Sequence, residues 1–241
     1  MVLPTGFSKG LALFLAECCL QTYNRPGLKK LFSLPPGYSL IDSITGSHLK
    51  TLDFYGYIME SSESIVIAFR GSRTNPDWIA DLTALQTDFP YTPAKLKVHS
   101  GFNAVYSSCR QQIISALKAL GSSKQLFVTG HSLGGALAIL CTLDAAVNTA
   151  FEDPVMYNFG SPRVGDPRFA ESYNRLVDDS MRIVHTNDIV ALLPPAELQP
   201  PLSEDIIYYR HVGKPVILSI PAGSLVTNHT MRNYIHGLKL L

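Results

Sequence analysis

The apolar residues of this chain fall in two rhythms. Short continuous runs, Ile65-Val66-Ile67-Ala68-Phe69, Leu126-Phe127-Val128 and residues 155–159, have the length and bounds of buried strands, and 181–185 reads as another. Longer stretches repeat at helical spacing. Residues 6–22 place Leu11, Phe14, Leu15 and Cys18 on one face, and 102–120 turn Val105, Cys109, Ile113, Leu117 and Leu120 inward. The pattern further predicts that 54–59 pairs with 64–69, that 208–212 and 216–220 form a late hairpin, and that 229–241 closes the chain as a helix. Strands alternate with helices, without internal repeat or linker. The expected class is therefore α/β, a single domain over 1–241 with a large central mixed sheet flanked by helices.

One stretch breaks this regularity. In Asn75-Pro76-Asp77-Trp78 the asparagine suits a helix cap and the proline the first helical position. Trp78, Ile79, Leu82 and Leu85 then share one face, with Asp77 and Asp81 off it. This is a short amphipathic helix between loops. By pattern alone it packs permanently on the surface.

The densest chemical signal is KQLFVTGHSLGGALAIL, residues 124–140. A short apolar strand runs into Gly130-His131-Ser132-Leu133-Gly134, which reads G-x-S-x-G, and small and apolar residues follow at helical density. Such a motif by itself also fits a plain Gly-rich turn. The strand before and the helix after make it a nucleophile elbow, in which a strained serine sits at the tip of a tight turn. The helix points its amide end at Ser132, which favours negative charge there.

A serine hydroxyl needs a base to take its proton and an acid to orient that base. With such an elbow the acid and then the histidine follow the serine in the chain. Asp188 sits just past a strand end, with Asp166 and Asp153 as rivals; turn chemistry is its bland alternative. His48 and His99 precede the elbow, His131 lies inside it pointing away from the serine's face, and His185 belongs to a strand. His211 falls in a strand pattern. His229, in a polar turn at the mouth of the last helix, is favoured over His236 two turns further on. The backbone N–H of Leu133 is one oxyanion donor. Ser72, beyond the end of an earlier central strand, offers both an amide and a hydroxyl as the second.

Composition trims the possibilities. The chain has 241 residues, 46% hydrophobic and 16% charged, with a net charge of +1 and no basic run of the nucleic-acid type. No stretch reaches the length of a membrane span. The apolar patch at 11–16 is short and is followed by Glu17 without a small-residue cleavage site, so it reads as an amphipathic first helix rather than a clear signal peptide. Cys18, Cys19, Cys109 and Cys141 show no zinc-type spacing; buried free thiols fit best and lean toward a reducing compartment. No metal or cofactor is called for.

These residues resemble the class 3 lipases, the group of the filamentous-fungal triacylglycerol lipases. The likeness is carried by AFRGS (68–72), DWIADL (77–82), VHSGF (98–102), VTGHSLGGALA (128–138), YNFGSPRVGDPRFA (157–170), RIVHTNDIVALLPP (182–195) and NHTMRNYI (228–235), across about two-thirds of the chain. The resemblance implies an α/β-hydrolase fold, with Ser132 as nucleophile, Asp188 as acid and His229 as base. It implies Ser72 and Leu133 as oxyanion donors, and a mobile lid over about 73–90 carrying Trp78, Ile79, Leu82 and Leu85. The implied activity is hydrolysis of acylglycerol esters through an acyl-enzyme at a lipid–water interface. Phospholipid, galactolipid and feruloyl esters are alternative substrates, and a lipid-binding protein with a dead site is the alternative class. The sequence departs from the family in lacking a clear leader and disulfides, which leaves the cytoplasm or export by an unrecognised route. It also carries Ala191 where the family usually has proline.

Overall fold

The computed structural model describes residues 3–24, 32–48, 51–72, 85–200, 204–221 and 223–241. The first half runs α1 (Lys9–Gln21), β1 (Ser39–His48), β2 (Thr51–Glu60), β3 (Ser64–Phe69), β4 (Gln86–Asp88), β5 (Lys97–His99) and α2 (Ser100–Leu120). The second runs β6 (Gln125–His131), α3 (Leu133–Asn148), β7 (Val155–Phe159), α4 (Pro167–Leu176), β8 (Ser180–His185), β9 (Glu197–Leu198), β10 (Ile207–Tyr208), β11 (Lys214–Leu218), α5 (Leu225–Asn228) and α6 (Met231–Leu240). A seven-stranded sheet in the order β1-β2-β3-β6-β7-β8-β11 forms the frame. Its first three strands are an antiparallel meander, and from β3 onward neighbours are parallel.

The sequence of β3 shows why this frame forms. Its side chains alternate between faces, yet all are apolar apart from Ser64, because both faces are covered. Ile65, Ile67 and Phe69 pack with α2 and α3, whereas Val66 and Ala68 pack with α1 and α6. Burial of each large side chain contributes about 1.5–3 kcal/mol. Helix α3 is buried along both its small and its large residues, from Leu133 to Ala145. Its one buried charge, Asp144, accepts from the Tyr106 hydroxyl at 2.6 Å, from Arg110 at 2.6 and 2.9 Å, and from Asn148 at 2.7 Å.

Two features depart from the sequence reading. Strand β1 is polar, SLIDSITGSH, and carries irregularities between Leu40 and Asp42 and between Ile44 and Thr45; an edge strand needs no continuous apolar face, so periodicity did not reveal it. The late hairpin is replaced by two separate pairings. Ile207–Tyr208 joins Glu197–Leu198, and β11 lies parallel to β8. Val216 and Leu218 gain more by packing against β8 and α6 than a local hairpin offers, since their faces are then closed by the long-range core.

All four cysteines are buried and unpaired. Burial pushes the Cys18 and Cys109 thiols up to about 12. Trp78, Ile79 and Leu82 lie outside the described residues; Leu85 is described and is 49% exposed. Among the described residues no helix is long and apolar enough to cross a membrane.

Candidate active site

The elbow joins β6 to α3. Ser132 has φ 57° and ψ −126°, the one positive φ outside glycine among the described residues. That conformation costs about 1–3 kcal/mol and persists only where neighbours impose it. Here the Ser132 N–H donates to the Phe159 carbonyl at 3.0 Å, and its own carbonyl accepts from Gly135 at 2.9 Å. The turn closes only because Gly130 lacks a side chain: a Cβ there would collide with the Gly134 carbonyl. Gly71 is bare for a similar reason, since its Cβ would stand 3.1 Å from the Ser132 Cβ. The segment after β3 therefore lies directly against the elbow. Arg70 anchors it, paired with Asp53 at 2.6 Å, and Ser72 follows, partly buried.

Asp188 follows β8 in a tight turn, its N–H bonded to the His185 carbonyl at 3.0 Å. The carboxylate is 2% exposed and well supplied with donors. Oδ1 receives the Val190 N–H at 2.9 Å, and Oδ2 receives both the Tyr234 hydroxyl at 2.6 Å and His229 Nδ1 at 2.7 Å. Because Nδ1 donates to a carboxylate, His229 Nε2 is its acceptor nitrogen in the neutral ring. Nε2 is buried and unpartnered among the described residues. His229 sits between α5, with its Ser224 capping box, and α6, capped by Thr230, so it is held by two helix ends rather than carried on a helix face.

Ser72, His131, Ser132 and His229 line one cavity of about 310 Å³, whose apolar wall includes Leu20, Val226 and Met231. Leu133 opens α3, so its N–H is among the first-turn amides that have no intrahelical acceptor. The structure thus gathers Ser132, Asp188, His229, Ser72 and Leu133. The rivals lie elsewhere. Asp166 caps α4 through the Phe169 N–H at 2.7 Å, and Asp153 is exposed in the turn before β7. His236 is exposed on α6. The His211 ring bonds the Ala191 carbonyl at 2.8 Å, and burial, with Arg182 nearby, lowers its pKa to about 3.

Three further side chains stand at the site without a role in the sequence reading. Tyr234, on α6, is fully buried, and Tyr23, after α1, is half-buried. His131 does not point away from the site: its ring lies 4.6 Å from that of His229.

Strand order and the strand–turn–helix at Ser132 together define an α/β-hydrolase fold. Residues 66–198 match the family model described as Lipase (class 3), and the chain belongs to that family. It is 39% identical to a lipase of Rhizomucor miehei over 145 residues, 57% of this chain and 39% of that protein. It is 29% identical to the chloroplastic phospholipase A1-Igamma1 of Arabidopsis thaliana over 78% of this chain and 48% of that one. The chain thus spans less than half the length of these two curated relatives. A solved triacylglycerol lipase, whose catalytic centre is described as a serine protease triad, superposes with a TM-score of 0.72 at 27% identity, over 89% of this chain and 82% of its own.

Proposed function

We propose that this chain is a serine hydrolase that cleaves acylglycerol esters at a lipid–water interface. The observation that carries this reading is the His229–Asp188 pair, closed at 2.7 Å, on the same cavity as the strained Ser132. Ser132 Oγ attacks the ester carbonyl while His229 Nε2 takes its proton, and Asp188 stabilises the resulting imidazolium. The Leu133 N–H and Ser72 receive the negative charge that develops on the carbonyl oxygen. Collapse of the tetrahedral intermediate breaks the bond to the alcohol, which leaves with the proton from His229. Water, activated by the same imidazole, then releases the fatty acid and restores Ser132. No metal or organic cofactor takes part in these steps.

The domain is a single unit over 1–241, with the segment of about 73–90 as its lid. Gln86–Asp88, within those bounds, pairs with β5. A phospholipid ester is the second reading, favoured by Arg232 on the cavity lining, where a cation suits a phosphate. The four buried thiols favour a reducing compartment.

The test is covalent labelling with a fluorophosphonate, followed by hydrolysis of a triglyceride, a phospholipid and a short p-nitrophenyl ester. The wild-type chain is labelled, Ser132→Ala is not, and triglyceride is cleaved faster than phospholipid. Absence of both labelling and hydrolysis overturns the reading in favour of a lipid-binding protein.

A further inference from the structure

Tyr23 lies just past the Thr22 cap of α1, tied back by its N–H to the Leu20 carbonyl at 3.2 Å. The helix end is pinned to β6, because the Cys19 thiol meets the Thr129 hydroxyl at 3.1 Å. From there the Tyr23 hydroxyl reaches His131 Nδ1 at 2.5 Å. Gly71 packs against the same hydroxyl, since a Cβ there would run into it. One hydroxyl thus lies against both the segment that leads into Ser72 and the histidine beside Ser132.

The protons on this bridge can be assigned. Burial raises the Tyr23 pKa, so the phenol stays protonated. Its proton needs an acceptor, which His131 Nδ1 supplies. His131 is therefore assigned as neutral with its proton on Nε2, an atom that is buried and without a hydrogen-bond partner among the described residues. Burial, and the neighbouring His229 charge, hold its pKa well below the ordinary histidine value.

This matters because the His131 ring is the surface on which His229 rests, at 4.6 Å and 34°. In each turnover His229 becomes positively charged. A second imidazolium against it would oppose that charge, whereas a neutral ring leaves the Asp188 carboxylate to stabilise it. The other groups facing His131 are Tyr23 from the end of α1 and Tyr234 of α6, at ring distances of 5.9 and 6.0 Å, with Arg70 acting on Tyr23 from beyond β3.

We propose that Tyr23 and His131 are positioning residues: their hydrogen bond, with the Tyr23 hydroxyl packed on Gly71, holds the oxyanion segment and the His229 imidazole in one fixed relation to Ser132. The inference rests on the triad reading above, but one arm of its test does not. In the full chain with 15N-labelled histidine, NMR reads each ring's tautomer, and loss of a signal in His131→Asn assigns it. His131 is expected as the neutral Nε2–H form from about pH 8 down to about pH 5. In the kinetic arm Tyr23→Phe, which keeps the ring, lowers kcat about ten- to a hundredfold with little change in KM, as a displaced reacting group does. His131→Asn, whose amide oxygen accepts from Tyr23, keeps more of kcat than His131→Phe, which offers no acceptor. An Nδ1–H or charged His131, or a Tyr23→Phe variant with wild-type kcat, overturns the bridge. A wild-type chain that neither hydrolyses esters nor takes the fluorophosphonate overturns the triad reading instead, and the tautomer still decides whether the bridge exists.

Discussion

The Tyr234 hydroxyl donates at 2.6 Å to Asp188 Oδ2, the same oxygen that holds His229 Nδ1. Asp188 thereby has two fixed donors on one oxygen and the Val190 N–H on the other, so its plane has little freedom to rotate. Tyr234→Phe removes one anchor and preserves the ring. The expected result is a fall in kcat of about tenfold with KM nearly unchanged, together with about 1–2 kcal/mol lost from the unfolding free energy. Steady-state kinetics and a urea titration check both; an unaltered kcat would show that His229 and Val190 suffice.

Ser132→Ala should lower kcat by roughly three to six orders of magnitude with the fold intact. His229→Ala should behave alike. His236→Ala, on an exposed face, and His211→Ala, bonded away from the cavity, should keep turnover. Loss of activity in His236→Ala alone would move the base assignment.

Ser72 lies on the cavity with Ser132 and follows a glycine pressed against the elbow. Its hydroxyl should add to its backbone N–H at the developing oxyanion. Ser72→Ala is then expected to lower kcat about ten- to a thousandfold with KM little changed. A variant with normal kcat would leave the hydroxyl a structural part only.

His99 gives the fold a pH dependence. It caps α2, Nδ1 accepting the N–H groups of Gly101 at 3.1 Å and Phe102 at 3.4 Å, and burial lowers its pKa from 6.5 to about 4. The unfolded chain takes up this proton near 6.5, so between 6.5 and about 4 the unfolded state binds more protons. Stability is complete above that window and falls as pH drops through it, by roughly 1.4 kcal/mol per unit at most. His211, lowered to about 3, acts in the same direction. Denaturant midpoints measured across the window should fall with acid, and less steeply in His99→Asn, which caps without taking a proton. Identical slopes in both proteins would assign the acid sensitivity elsewhere.

A lid that carries Trp78, Ile79, Leu82 and Leu85 on one face should lie over the site in water. Exposing these side chains costs about 1.5–3 kcal/mol each, a cost that a lipid surface removes. Activity on a short, partly soluble ester should rise sharply past its solubility limit. The emission of Trp78, the chain's single tryptophan, should change when detergent micelles are added. A smooth hyperbolic rate curve with constant emission would leave a plain esterase.

What could be read from the chain itself was whatever physics writes locally. Continuous apolar runs marked β3, β6 and β7, whose two faces are both covered, and apolar residues at helical spacing marked α2 and α3. The crowding at Gly130, Ser132 and Gly134 is a property of a few consecutive residues, so the elbow was visible. A turn after β8 and a polar turn before α6 singled out Asp188 and His229, since chain order restricts which acid and base follow the serine.

Other features required the tertiary structure. Residues 23 and 131, whose hydroxyl and ring nitrogen meet at 2.5 Å, stand 108 positions apart. Asp188 and Tyr234 are 46 apart. Neither tyrosine differs in local pattern from a tyrosine that merely fills the core. The place of β11 beside β8, rather than in a hairpin, was set by the open edge of the sheet and the face of α6, neither of which adjoins it in sequence. Hydrogen bonds of this kind depend on where distant segments dock, and docking is decided by the whole set of buried surfaces at once. Local sequence therefore singled out the candidate reactive groups, and only the packed sheet determined which side chains hydrogen-bond around them.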